Sequence, residues 1–199
     1  MVFLVGILVW TIGATGLSAP PEASDFVQKL INGAIERTRH IERYNGSYRK
    51  IHYPSGDVPD SIGVCTDLIV RAYRGVGIDL QKEVHEDMYK NFSEYPQRWG
   101  LKRPDTNIDH RRVLNLETFF RRNGLELSIT EKPDDYLPGD IVTWLLPGNL
   151  PHIGLVINRK TQDNKRPLIV HNIGNGPEIE DMLFKFTITG HYRYPKNRE

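Results

Sequence analysis

Cys65, the only cysteine in the chain, stands in Ile62-Gly63-Val64-Cys65-Thr66-Asp67, where a loop turns into a helix. Cys65, Leu68, Ile69, Ala72, Tyr73 and Val76 recur at helical spacing, and Gly75 and Gly77 supply a stop. The spacing predicts a helix over 65–76 with the thiol in its first turn. At that position unpaired backbone N–H groups and the positive end of the macrodipole favour thiolate over thiol. The expected pKa therefore lies below the roughly 8.5 of a free thiol. Such a cysteine is a candidate nucleophile, and its other reading is a small buried hydrophobe.

A cysteine nucleophile needs a base for its proton and a third polar group to orient that base. The chain has seven histidines. Pro138-Gly139-Asp140 is a turn before the apolar run Ile141-Val142-Thr143-Trp144-Leu145. A loop containing Pro147, Gly148, Asn149 and Pro151 then leads into His152-Ile153-Gly154-Leu155-Val156-Ile157. Strand alternation puts His152, Gly154 and Val156 on one face and Ile153, Leu155 and Ile157 on the other. Gly154 leaves room for a substrate or a second backbone to come close. A polar loop, 158–166, returns to Leu168-Ile169-Val170-His171, so a hairpin would place His171 next to His152.

These residues carry a resemblance. Gly63-Val64-Cys65-Thr66-Asp67, Pro138-Gly139-Asp140-Ile141-Val142, Pro151-His152-Ile153-Gly154 and Ile169-Val170-His171 resemble, in order, the motifs of the NlpC-type cysteine peptidases. Those are compact papain-like hydrolases of bacterial cell walls. From about Tyr44 to Tyr194 the chain more narrowly resembles the domain of unknown function 1287 family, placed in the same group. The segments Arg71-Ala72-Tyr73-Arg74 and Asn107-Ile108-Asp109-His110-Arg111-Arg112 also fit that family. The resemblance implies Cys65 as nucleophile, His152 as base and His171 as the orienting residue. It also implies peptide bonds of the peptidoglycan stem as substrate. Thr66 and Asp67 stand where Ser-Gly is usual, which places them at the oxyanion site. The upstream aromatic whose hydroxyl lines that site is matched to Tyr53, and Trp144 is a candidate flat wall.

With 199 residues, 39% of them hydrophobic, there is material for one core. We expect a single hydrolase domain over 20–199. A net charge of +1 gives no reason to expect a nucleic-acid partner. Phe3 to Leu17 is almost wholly apolar, Gly16-Leu17-Ser18-Ala19 supplies small residues at its end and Pro20-Pro21 follows, with no Lys or Arg ahead of the run. Residues 1–19 therefore read as a signal peptide or N-terminal anchor, with cleavage just after Ser18. The run is short of the ~20 residues that a span needs, so stable membrane insertion is not expected after cleavage. The reading is of an exported protein, periplasmic or extracellular. In an oxidising compartment a single cysteine has no internal disulfide partner, which favours chemistry over packing.

The remaining elements must position the site. A helix is expected over 24–42, with Phe26, Leu30, Ile31, Ala34 and Ile41 as its apolar stripe. The 43–62 segment reads as a loop on the cleft rim, 80–92 and 108–123 as helices, 125–129 as the first strand and 183–189 as the last. Helices followed by an antiparallel sheet make an α+β fold. Arg43, Arg49, Lys50, Arg103, Arg111 and Arg112 are candidate basic groups around the cleft, suited to a substrate with carboxylates. No metal or other cofactor is expected, because His85 with Asp87, Asp109 with His110, and the pair His152 with His171 all lack a ligand spacing such as H-E-x-x-H. A same-fold acyltransferase and a non-catalytic wall-binding protein are the alternative functions.

Overall fold

The structure, a computed structural model, describes residues 24–197; the expected leader at 1–19 lies outside them. Helix α1 (Asp25–Glu36) starts at Ser24, whose hydroxyl accepts a hydrogen bond from the Val27 N–H, and it buries Val27, Leu30, Ile31 and Ala34. It is shorter than expected. A 3₁₀ turn over Arg37–Arg39 follows, and Ile41 is 97% exposed. The cause is electrostatic: the chain turns to carry the Glu42 carboxylate inward, where it pairs with Arg37 at 3.3 Å and Arg71 at 2.6 Å. Alternation then sends the side chain of Ile41 outward.

Two short parallel strands, β1 (Arg43–Tyr44) and β2 (Ile62–Gly63), bracket the rim loop. Helices α2 (Cys65–Gly75), α3 (Leu80–Lys90) and α4 (Val113–Asn123) come next. The start expected at 108 is instead a 3₁₀ turn, Asp109–Arg111, ahead of α4. The sheet is built from β3 (Leu125–Glu126), β4 (Ile141–Leu146), β5 (Leu150–Lys160), β6 (Pro167–Asn172), β7 (Pro177–Glu180) and β8 (Thr187–Arg193). Its order is β3-β8-β4-β5-β6-β7, and every pairing is antiparallel. The α+β class is as the order of elements predicts. No helix of the described residues is long and apolar enough to cross a membrane.

Both faces of the sheet are covered. Ile141, Ile153, Leu155, Ile157 and Val170 pack against Leu30, Leu68, Ile69 and Leu116 of the helices. Full burial of each such side chain contributes about 1.5–3 kcal/mol. On the other face Val142, Trp144, Val156 and Ile169 lie under Tyr136, Met182 and Leu183. This second layer explains the misplaced last strand. Residues 183–185 form a turn, not a strand, because the Leu183 carbonyl is drawn in to accept the Trp144 Nε1–H at 2.9 Å. The strand begins four residues later than expected, at Thr187.

Candidate active site

The β1–β2 pairing aligns Tyr44 with Gly63, just ahead of α2. The Arg71 guanidinium holds this loop from below, donating to Asp57, to Glu42 and to the carbonyls of Val58 and Ile62. Gly63 is needed for that approach, since a Cβ there would collide with the Glu42 carboxylate. Asp67 fixes the first turn of α2. Its Oδ2 accepts the Val64 N–H at 2.8 Å, and Arg111 donates to both its oxygens at 2.8 and 2.9 Å. Arg111 also donates to the carbonyls of Asn45 and Ser47, and its own carbonyl accepts the Thr66 hydroxyl. The Asp67 and Thr66 side chains are thus buried clamps. This corrects the expectation that they line the substrate site.

Cys65 opens the helix and forms part of the wall of a cleft of about 490 Å³. The other walls come from Tyr44, Gly46 and Val64 ahead of α2, Arg98, Trp99 and Arg112 from the stretch before α4, Val113 and Leu114 at the start of α4, and Asn149 and Pro151 around the start of β5. Arg112 lies 4.1 Å over the Trp99 ring and donates to Asp109 at 2.9 Å. Among the basic residues expected at the cleft, Arg111 and Arg112 are on its wall, whereas Arg43, Arg49, Lys50 and Arg103 are not.

The aromatic assignments change. Tyr53 packs edge-on against His85 at 5.1 Å, away from the cleft wall. Tyr44 takes the place expected for Tyr53: its hydroxyl hydrogen-bonds the Cys65 thiol. Trp144 is fully buried and is not on the wall of this cleft; it lies opposite His152 in register, with the ring centroids 6.1 Å apart.

The thiol is also not the preformed thiolate that its helix position predicts. Burial pushes the Cys65 pKa up to about 11, and the Asp67 carboxylate adds to the rise. The N–H groups of Ile153 and Thr66 and the Tyr44 hydroxyl offset only part of it. Desolvation outweighs the helix terminus because Cys65 is 4% exposed. The expected consequence is slow alkylation. The rate with iodoacetamide in the native protein should climb steadily between pH 7 and 10, as the thiolate fraction rises toward a pKa of about 11. A plateau already reached at pH 6–7, measured with Cys65→Ser as blank, would show a preformed thiolate instead.

The two histidines meet as the hairpin predicts. Gly154 pairs with His171 in register, and His152 Nε2 lies 3.1 Å from His171 Nδ1. A Cβ at 154 would lie 2.7 Å from Ile169 Cγ2 and 3.1 Å from the Val170 carbonyl, so the close neighbours at this glycine are the Ile169 side chain and the β6 backbone. His152 is 2% exposed and His171 fully buried. Burial, with His171 alongside, pushes the His152 pKa down to about 3. The pair lies on the Trp144 side of the sheet and neither imidazole is on the cleft wall; the group of β5 that faces Cys65 is the N–H of Ile153, the residue after His152.

Sequence reasoning missed the next group in this chain of contacts. His171 Nε2 lies 3.2 Å from Glu180 Oε2 on β7. Strand β7 follows Gly174-Asn175-Gly176, and a turn signal before the alternating Pro177-Glu178-Ile179-Glu180 was available to find it. Ligand atoms of His171, Glu178 and Glu180 lie within 4.8 Å of one another, and Lys185 Nζ approaches Glu180 at 3.9 Å. A lysine ammonium thus already stands beside the carboxylate. Elsewhere Asp87 is held by Arg122, Tyr95 and Asn91, and Asp109 by Arg112. Asp140 of the Pro-Gly-Asp turn is a buried anchor for Arg193 and His191.

Residues 31–194 match the family described as Domain of unknown function (DUF1287), and the chain belongs to that family. It is 50% identical over 165 residues to the uncharacterized protein YijF of Escherichia coli (strain K12), covering 83% of this chain and 80% of that one. A crystal structure of a protein similar to a lipoprotein of the NLP/P60 family, from Staphylococcus aureus subsp. aureus Mu50, aligns over 92% of this chain. The TM-score is 0.44 and the identity 14%, and the chain spans about half of that protein, 46% of its length.

Proposed function

We propose that this protein is an exported cysteine hydrolase that cleaves amide bonds, with stem peptides of peptidoglycan as substrate. One observation carries the reading. A buried pair of hydrogen-bonded imidazoles sits on two adjacent strands, and the backbone N–H beside the first of them contacts a thiol at the start of a helix. A lone structural cysteine has no need of such neighbours.

In this reading the resting site is neutral. Burial disfavours an isolated thiolate and an isolated imidazolium alike. Proton transfer from Cys65 to His152 creates the two ions together, each offsetting the desolvation of the other. The sulfur attacks the carbonyl carbon, and the carbonyl π electrons move to oxygen. In this reading the Tyr44 hydroxyl, beside Cys65, and the N–H groups at the start of α2 stabilise that oxyanion. The amine departs with the proton from His152. Water, deprotonated by His152, then releases the acid from the thioester and returns the proton to sulfur. Arg98 and Arg112 on the cleft wall suit a substrate bearing carboxylates.

The test is digestion of purified sacculi, with soluble products identified by mass spectrometry. New stem-peptide fragments that disappear with Cys65→Ala are the expected result. Intact sacculi, with a small ester or amine acceptor turned over through Cys65, would move the assignment to acyl transfer.

A further inference from the structure

We propose that Glu180 is a positioning residue that sets the protonation of both imidazoles and leaves Nδ1 of His152 as that ring's bare nitrogen. This rests on the reading of His152 as the base. The contacts run in a line: His152 Nε2 to His171 Nδ1 at 3.1 Å, then His171 Nε2 to Glu180 Oε2 at 3.2 Å. A carboxylate only accepts, so the His171 nitrogen beside it must carry a hydrogen. In a neutral ring the other nitrogen, Nδ1, is then a bare acceptor. His152 must donate to it from Nε2, and its own Nδ1 is left without a proton. The reverse arrangement would set a bare His171 Nε2 lone pair against the Glu180 carboxylate, with both groups repelling.

The surroundings favour the neutral ring. Burial holds His171 below the ordinary histidine range even though Glu180 pulls the other way. The charged or titratable groups facing it are His152 on β5, Glu178 and Glu180 on β7, and Lys185 on the turn after β7. Glu178 lies directly across from His171 in register, and its pKa is raised by partial burial and by Glu180. Glu180 is the carboxylate that bonds the imidazole, and Lys185 Nζ stands 3.9 Å from it.

The experiment reads the ring nitrogens directly and needs no substrate. The full chain is labelled with ¹⁵N, and two-bond nitrogen–proton correlations are recorded at pH 7, with His152→Gln and His171→Gln spectra as assignments. Both rings should carry their proton on Nε2. Glu180→Ala should mix the two tautomers, while Glu180→Gln, whose amide oxygen still accepts, should restore the wild-type pattern. In the sacculus assay Glu180→Ala should lower kcat on the order of ten- to a hundredfold with KM unchanged, and Glu180→Gln should recover most of the loss. A proton on Nδ1 of either ring in the wild type, or an unchanged spectrum in Glu180→Ala, overturns the proposal. Correct tautomers in a protein that cuts nothing would uphold Glu180 and fault the hydrolase reading alone.

Discussion

His152→Ala is expected to abolish sacculus digestion as fully as Cys65→Ala does, a loss of at least about a thousandfold in kcat. The two residues form a unit: the sulfur cannot attack without losing its proton, and the proton has nowhere else to go. The chemistry makes this dependence steep. With its pKa at about 11, Cys65 carries almost no thiolate of its own at neutral pH, so the imidazole cannot be bypassed. The double variant should be no worse than either single one. His171→Asn should be milder, on the order of ten- to a hundredfold, because the amide oxygen can still accept the His152 Nε2–H. Steady-state rates of the purified variants, with circular dichroism to confirm folding, decide the matter. If His152→Ala keeps more than a few per cent of the rate, the assignment of the base is wrong. If His171→Asn falls as far as His152→Ala and a chelator also stops the wild type, the pair is serving a metal.

Arg111→Leu should cost about 3–5 kcal/mol of stability, because it strands a buried carboxylate. The side chains of Arg111 and Asp67 are 1% and 3% exposed, and both Asp67 oxygens accept from the guanidinium. Removing the cation leaves Asp67 to be neutralised or to pull in water, and it also releases the carbonyls of Asn45 and Ser47 beside the cleft. The double change Asp67→Asn with Arg111→Leu should lose clearly less than the sum of the two single changes, since no uncompensated charge then remains. Urea denaturation of the four proteins measures both quantities. A single-variant loss under about 1 kcal/mol would mean that the pair behaves as a solvated one.

Local periodicity made much of this molecule legible. Six apolar residues at helical spacing marked α2, and apolar runs, with alternation in β5, marked β4 to β6 to within a residue or two at most ends. The order of helices and strands implied the α+β class. The hairpin geometry brought His152 to His171, because residues on the same face of paired strands meet whatever else the fold does. Cys65 could be placed in a first helical turn for the same reason: the signals for a helix start lie within a few residues of it.

What depended on distant residues was not legible. The place of Tyr44 rests on a two-residue parallel strand that spacing cannot reveal, and Tyr53 lost its assignment to it. Asp67 reads as a polar neighbour of the nucleophile until Arg111, forty-four positions on, closes over it. Trp144 lies in a strand that either face could have claimed, and the 181–186 turn decided which. Burial had the same effect on charge. The sequence by itself determined which helix end holds the thiol and which strands hold the imidazoles, since backbone periodicity is local. Only the tertiary structure decided that the thiol is neutral and that Glu180 stands behind the histidines. Desolvation and long-range pairing are properties of the packed chain, and no window of sequence contains them.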